Sequence, residues 1–449
     1  MSNFSNLVVN SQLKGTRATP LSNVYQHPRN IVQSEFRVVP NDYLRNPMNN
    51  IKFSETDKVF TIPRGSLLGN TMLKITLKTA NNAVVPPAGS ALVAERGYGF
   101  LIPRRIQYKY GSSDPVQMSS RCNHLSVMRE LDMSNQAREQ MMNLAGKRRD
   151  ENQVHVPPSS VPDGVWEEDV VYIPLCLPHS SWGTGTHPKV PFSSDILDGD
   201  VLITIDTATP EEVFSNNTAY RASGAQYPEM DMELVTMSFN MVDYMTDSIR
   251  QTVSRSGDDY YSYNFVYHGE LCRTFAGADI VADPCGRSNV NLAGFKSGNT
   301  LGLSFLLLEN GVDFAGTIDN AHLGYSEMEN LIVNIDSNLL LKAKGDDIKI
   351  FDYVRSNLEN NFPVLAGGTT ATSSQISPWV DVAMSQYNKP CIDSDGQLDF
   401  GLNLSNRVVT LSFTTPKGDP TRYTLFVCQN VQSAIYTANG INKISFTDI

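Results

Sequence analysis

From Glu35 onward the chain alternates apolar and polar residues with a period of two, the mark of strands that bury one face. The first runs are Phe36-Arg37-Val38-Val39, Ile51-Lys52-Phe53 and Val59-Phe60-Thr61-Ile62, punctuated by Pro63-Arg64-Gly65. Residues 72–78 follow, with Lys74, Thr76 and Lys78 on one face of a half-exposed strand. Residues 106–110 alternate again and end in a turn at Gly111-Ser112-Ser113-Asp114. Further strands are expected at 170–173, 201–205 and 234–244. One interlude changes the period. Leu125, Met128 and Leu131 recur at helical spacing after Ser119 or Ser120, and Ala137, Met141 and Leu144 do so after Ser134, with Gly146 as a stop. A short linking helix is expected over 246–253.

The second half repeats the scheme. Tyr261, Tyr263, Phe265 and Tyr267 alternate with smaller or polar residues. Gly298-Asn299-Thr300-Leu301-Gly302-Leu303 resembles Gly69-Asn70-Thr71-Met72-Leu73-Lys74, 229 positions earlier. Residues 331–335 with their turn at Asp336-Ser337-Asn338 match 106–110 and its turn, 225 positions earlier. Two matches in the same order at nearly one offset indicate duplication of an all-β unit. The chain divides into an arm over 1–34, a first β unit over 35–244, a linker helix over 245–254 and a second β unit over 255–449.

Composition narrows the function. Of 449 residues 18% are charged, and 24 Pro with 30 Gly argue against long surface helices. A net charge of −11 excludes a generic nucleic-acid coat, which needs an excess of Lys and Arg, and no sequence-specific nucleic-acid binding is expected. No apolar run approaches the ~18–20 residues of a membrane span, and the first residues show no secretory signal. Six cysteines, at 122, 176, 272, 285, 391 and 428, lie far apart without a CxxC pair, as expected of buried free thiols in a reducing compartment. Charge is uneven: residues 1–150 carry 20 basic against 10 acidic side chains, and 151–449 carry 16 against 37. Divided at the boundary between the units the asymmetry shrinks to −3 and −8.

Catalytic spacings are missing. The chain has no GxSxG, no HExxH and no complete phosphate loop. His179 and His187 flank Trp182 in a Gly/Pro-rich stretch, read as an exposed loop rather than a metal site. Asp393-Ser394-Asp395-Gly396 is part of a calcium-loop pattern, read as a turn. Asp195, Asp198 and Asp200 are candidate paired carboxylates, read as acidic turn residues before a strand. The sequons at Asn3, Asn216 and Asn403 are read as chance. No enzyme activity, cofactor or metal is expected. The arm carries Lys14, Arg17 and Arg29, no acid, and apolar grip at Phe4 and Leu7, a composition that orders on a partner.

Four stretches together resemble the double jelly-roll major capsid proteins of the adenovirus-hexon and large icosahedral DNA virus lineage. They are 106–111 with the helical 119–131; Val171-Tyr172-Ile173-Pro174-Leu175 with Val190-Pro191-Phe192 and 201–205; 233–253; and the terminal run 423–436 before Gly440. The resemblance implies an all-β chain of two tandem eight-stranded antiparallel jelly rolls with short helical insertions. It also implies a homotrimeric, pseudo-hexagonal capsomer tiling the icosahedral shell of a double-stranded DNA virus, made in the host cytoplasm and carried in the virion. Partners would be neighbouring trimers, penton or vertex proteins, minor capsid proteins and an internal lipid membrane, with the arm on the underside of the shell. The rival reading is a carbohydrate-binding or carbohydrate-cleaving β-sandwich protein, marked by aromatic platforms and a carboxylate pair; only Trp166, Trp182 and Trp379 are available for platforms.

Overall fold

The computed structural model describes residues 31–42, most of 51–120, helical fragments between 120 and 146, 169–177, and most of 192–241; beyond that it describes the strands between 263 and 445 with adjoining loop residues. The arm residues Phe4, Leu7, Lys14, Arg17 and Arg29, the linker helix, His179, Trp182, His187, Asp195, Asp198 and 393–396 lie outside the described residues.

Among the described residues, sixteen strands fall into two sets of eight with one shared order, and a further strand, Ile441–Ser445, pairs with the end of the last of them. The first set is β1 (Ile31–Val38), β2 (Lys58–Ile62), β3 (Leu67–Lys78), β4 (Pro103–Tyr110), β5 (Val116–Ser119), β6 (Asp169–Pro174), β7 (Val201–Thr207) and β8 (Glu229–Met241). The second is β9 (Tyr263–Glu270), β10 (Ser288–Leu292), β11 (Asn299–Glu309), β12 (Glu329–Ile335), β13 (Asn338–Ala343), β14 (Trp379–Ala383), β15 (Val409–Thr414) and β16 (Tyr423–Ala438). The first set forms one sheet in the order β1-β8-β3-β6 and another in the order β2-β7-β4-β5. The second set repeats both orders, as β9-β16-β11-β14 and β10-β15-β12-β13. All of these pairings are antiparallel. First-eighth-third-sixth against second-seventh-fourth-fifth is the jelly-roll order, so the chain is two jelly rolls in tandem.

The internal repeat is structural. Residues 69–74 lie on the third strand β3 and residues 299–303 of the matching box on its counterpart β11, and the 106–110 and 331–335 runs lie on the fourth, β4 and β12. At matching places the third strand carries a fully buried threonine beside a ladder irregularity, Thr71 in one roll and Thr300 in the other. Each is bonded to the eighth strand: Thr71 Oγ1 to Thr236 Oγ1 at 3.4 Å, and Gln429 Nε2 to Thr300 Oγ1 at 2.8 Å. An irregular ladder leaves the backbone locally kinked, and a paired buried side chain keeps the site from carrying an unsatisfied polar group.

Alternation also fills the interior. In β4, Ile106, Tyr108 and Tyr110 are buried beside Phe60 and Ile203 of the same sheet, and Leu73 and Ile75 of β3 join that core from the other sheet. Val290, Phe305, Val333, Leu411 and Phe413 form a second core that shares no residue with the first.

Three local expectations need correction. β1 begins at Ile31, so its first four residues fall inside the stretch read as arm; β8 supplies their partners, from Ile31 opposite Met241 to Ser34 opposite Ser238. Ser119 ends β5, and the helical conformation starts at Ser120. Met141 is buried as its spacing predicts, but Leu144 is 46% exposed and the neighbouring Ala145 is buried instead. The helix has turned so that the Ala145 carbonyl accepts from Gly99 N–H at 2.7 Å.

Candidate assembly surfaces

The two ends of the first roll are built differently. Loops leave the odd-numbered strands over 39–57, 79–102, 120–168 and 208–228, and contacts among their described residues bring them together at one end. Ser54 N–H donates to Ala208 O at 3.0 Å, Ala208 N–H to Ile102 O at 2.8 Å, and Gly97 N–H to Gly146 O at 2.7 Å. Thr207 Oγ1 donates to Lys52 O at 2.9 Å and accepts Glu55 N–H at 2.8 Å. Asp206 holds Asp57 N–H at 2.9 Å and pairs with Arg105 Nε at 2.6 Å. Aromatic rings fill the space between: Phe53 meets Phe214 edge-on at 5.5 Å, and Tyr98 packs 6.1 Å from Phe214 with its hydroxyl on Asp169.

Two short helices complete this end, α1 (Pro210–Val213) and α2 (Asn217–Ala222). The sequence reading missed both. The signal was present: Thr209-Pro210-Glu211-Glu212 is a capping box with proline in the first turn, and Thr209 N–H donates to Glu212 Oε2 at 2.8 Å. Within α2, Tyr220 donates to Gln226 O at 2.6 Å and packs its ring 5.3 Å from Tyr227 in a tilted pair. Burial, then the neighbouring Tyr227, pushes the Tyr220 phenol up to about 12.

At the opposite end the described residues 63–64, 111–113 and 199–200 come together. Asp200 is their clamp: its Oδ1 accepts Arg64 N–H at 3.1 Å and its carbonyl accepts Gly111 N–H at 3.1 Å. That bonding gives Asp200 a structural role. Among the described residues no group of three or more His, Cys, Asp and Glu is placed to hold a metal. Trp379, the described member of the three tryptophans, lies on β14 opposite Leu306 rather than on a loop platform. Cys176 is buried, and its N–H donates to Asn123 Oδ1 at 2.9 Å.

The outer face of the β1-β8-β3 sheet carries a ladder of opposite charges. Glu233 meets Lys74 at 3.2 Å and Arg37 at 3.7 Å, Lys78 meets Asp231, and Lys52 meets Glu229 at 3.9 Å. Lys74 and Lys78 face outward as expected, while Thr76 between them is buried. Partly exposed pairs contribute only ~0–1 kcal/mol each. Their effect is a flat, charge-balanced flank.

The sheet edges are apolar in two places. Leu144 and Val170 are exposed at the loop end of the first roll. In the second roll Leu339 is 60% exposed and Leu340 37%, both on the edge strand β13, with Val408 at 47% beside the β12–β13 turn. Asp336 fixes that turn: its Oδ1 accepts Val408 N–H at 3.1 Å, its N–H donates to Val408 O at 3.0 Å, and its Oδ2 meets Arg407 Nη1 at 3.2 Å.

No protein-family model matches the chain, and no curated protein matches it. Solved structures do. PBCV-1 VP54, as fitted into a cryo-EM reconstruction of the virophage Sputnik, superposes with a TM-score of 0.58 at 11% identity, covering 93% of this chain and 97% of that one. The quasi-atomic PBCV-1 virus capsid gives 0.55 at 11% identity, over 93% and 97%. The Faustovirus major capsid protein gives 0.53 at 9% identity, over 91% of each chain. The chain shares their double jelly-roll fold. At such low identity the likeness is one of fold.

Proposed function

We propose that the chain is a viral major capsid protein whose homotrimer forms a pseudo-hexagonal capsomer in the icosahedral shell of a double-stranded DNA virus. The observation that carries this reading is the strand order repeated in both rolls, in a chain that aligns over 93% of its length with the PBCV-1 virus capsid structure. Two rolls of one topology give each copy two near-equivalent flanks, so three copies around an axis approximate sixfold symmetry. The reading assigns no catalysis, cofactor or metal to the chain, and it places the chain in the virion after synthesis in the host cytoplasm. Light scattering of the purified chain is expected to give about 149 kDa, three times 49.6 kDa. A stable monomer at micromolar concentration would overturn the proposal.

The arm belongs to the shell rather than to the capsomer core in this reading. Phe4 and Leu7 supply apolar grip, and Lys14, Arg17 and Arg29 supply positive charge without a single acid in 1–34. That chemistry suits neighbouring trimers, minor or vertex proteins, or an anionic inner membrane beneath the shell. Deleting residues 2–30 stops short of β1. The truncated chain is expected to form trimers of unchanged thermal stability while assembled shells fall at least tenfold by electron microscopy. Normal shells from it would remove the arm from assembly, and failure to trimerise would place the arm in the core.

A further inference from the structure

β5 and β13 are the fifth strands of their rolls, and each stands at the edge of its sheet, in β2-β7-β4-β5 and β10-β15-β12-β13. The first of these edges is covered within the chain: β9, the first strand of the second roll, lies against β5 without sharing ladder hydrogen bonds. Among the described residues the second edge has no strand beyond it. Leu339 and Leu340 are neighbours on β13, and Leu340 is the extra residue of a bulge, without a register partner on β12. Both are exposed. Val408 extends the apolar surface round the turn. A free edge with large exposed apolar groups templates association.

The strand that would fit it is already in the chain. β1 is the first strand of the first roll, the counterpart of β9, and it too stands at the outer edge of its sheet. Its residues Glu35 and Arg37 are exposed. Among the described residues the chain thus makes one contact internally, first strand on fifth, and leaves the other first strand and the other fifth strand at sheet edges.

We infer that β13 of one copy receives β1 of the next, repeating between chains the contact that β9 makes on β5 within one. The inference rests on the capsomer reading and supplies its interface. Such a contact is heterologous, with different patches on the two partners. Repeated head to tail, it closes into a ring or runs on as a filament. Three copies give six alternating contacts, internal and between chains, and bury every β13 edge. Lys342 on β13 and Glu35 on β1, both exposed, bring opposite charges to the two sides.

The test is cross-linking between exposed positions. Arg37→Cys and Leu340→Cys are made singly, in differently tagged chains, and treated with a short bis-maleimide after co-expression. Covalent dimers are expected only where both variants are present, at least tenfold above the background from the native cysteines. A chain carrying both substitutions should yield covalent trimers. Trimers that form but never link 37 to 340 overturn the edge pairing and leave the capsomer reading standing. So does self-linking by Leu340→Cys alone, which marks an isologous contact. Monomers throughout overturn both. In a second variant, Leu339→Glu with Leu340→Glu is expected to abolish trimers while the monomer still melts cooperatively. Trimers of unchanged stability from that variant overturn the inference.

Discussion

Replacing Phe413 with alanine is expected to destabilise the second roll by about 3–5 kcal/mol, the usual cost of emptying a buried phenylalanine site. Phe413 is fully buried on β15, opposite Ser288, among Val290, Phe305, Val333 and Leu411. None of these residues belongs to the core of the first roll. Hydrogen exchange read by mass spectrometry should show lost protection in β10, β12 and β15 and retained protection in β2, β4 and β7. Equal loss in both rolls would mean that the chain opens as one cooperative unit, and the proposed division at 245–254 would fail as an energetic boundary.

The second large effect is expected at Gly146. Its φ is +120°, a region that L side chains rarely adopt, and a Cβ there would sit 2.4 Å from the Tyr98 ring. That ring has no room to retreat: it is fully buried, packed on Phe214 and tied to Asp169. Backbone strain and overpacking of ~1–3 kcal/mol each put Gly146→Ala on the order of 4 kcal/mol. Gly224 is the control, with φ +76° but nothing within 4 Å of an added Cβ; Gly224→Ala should cost only about 1 kcal/mol. Thermal melting of the two variants separates packing from backbone strain. Equal losses would show that the contact with Tyr98 contributes nothing beyond φ.

Legibility followed the physical signal available at each position. The runs at 59–62, 72–78, 106–110, 170–173, 201–205 and 331–335 all lie within observed strands, because alternation reports which face is buried whatever lies beside the strand. Ile31-Val32-Gln33-Ser34 does not alternate, and it becomes strand through the ladder that β8 offers. The α1 box at 209–212 has the form of a cap, but four residues give no helical period to detect. Leu144 was placed inward by its spacing from Met141. The packing of the Ala145 carbonyl on Gly99 rotated the helix against that spacing. Asp200 looked like one of a set of acids; its role as a clamp depends on the backbone of Arg64 and Gly111, far away in sequence.

The sequence by itself determined that the chain is built of strands, that the unit occurs twice, and which side chains fill each interior. Those properties follow from side-chain polarity and its period, which every residue carries locally. Only the tertiary structure decided the order of strands in each sheet, such as β3 beside β8 with Thr71 against Thr236, 165 positions away. It also decided which edges are covered, with β9 against β5 and, among the described residues, no strand beyond β13. The reason is that ladder hydrogen bonds join backbone groups, which are nearly the same in every residue. A strand's sequence therefore specifies its buried face but not its neighbour, and the neighbour is chosen by how both faces and all connections close at once.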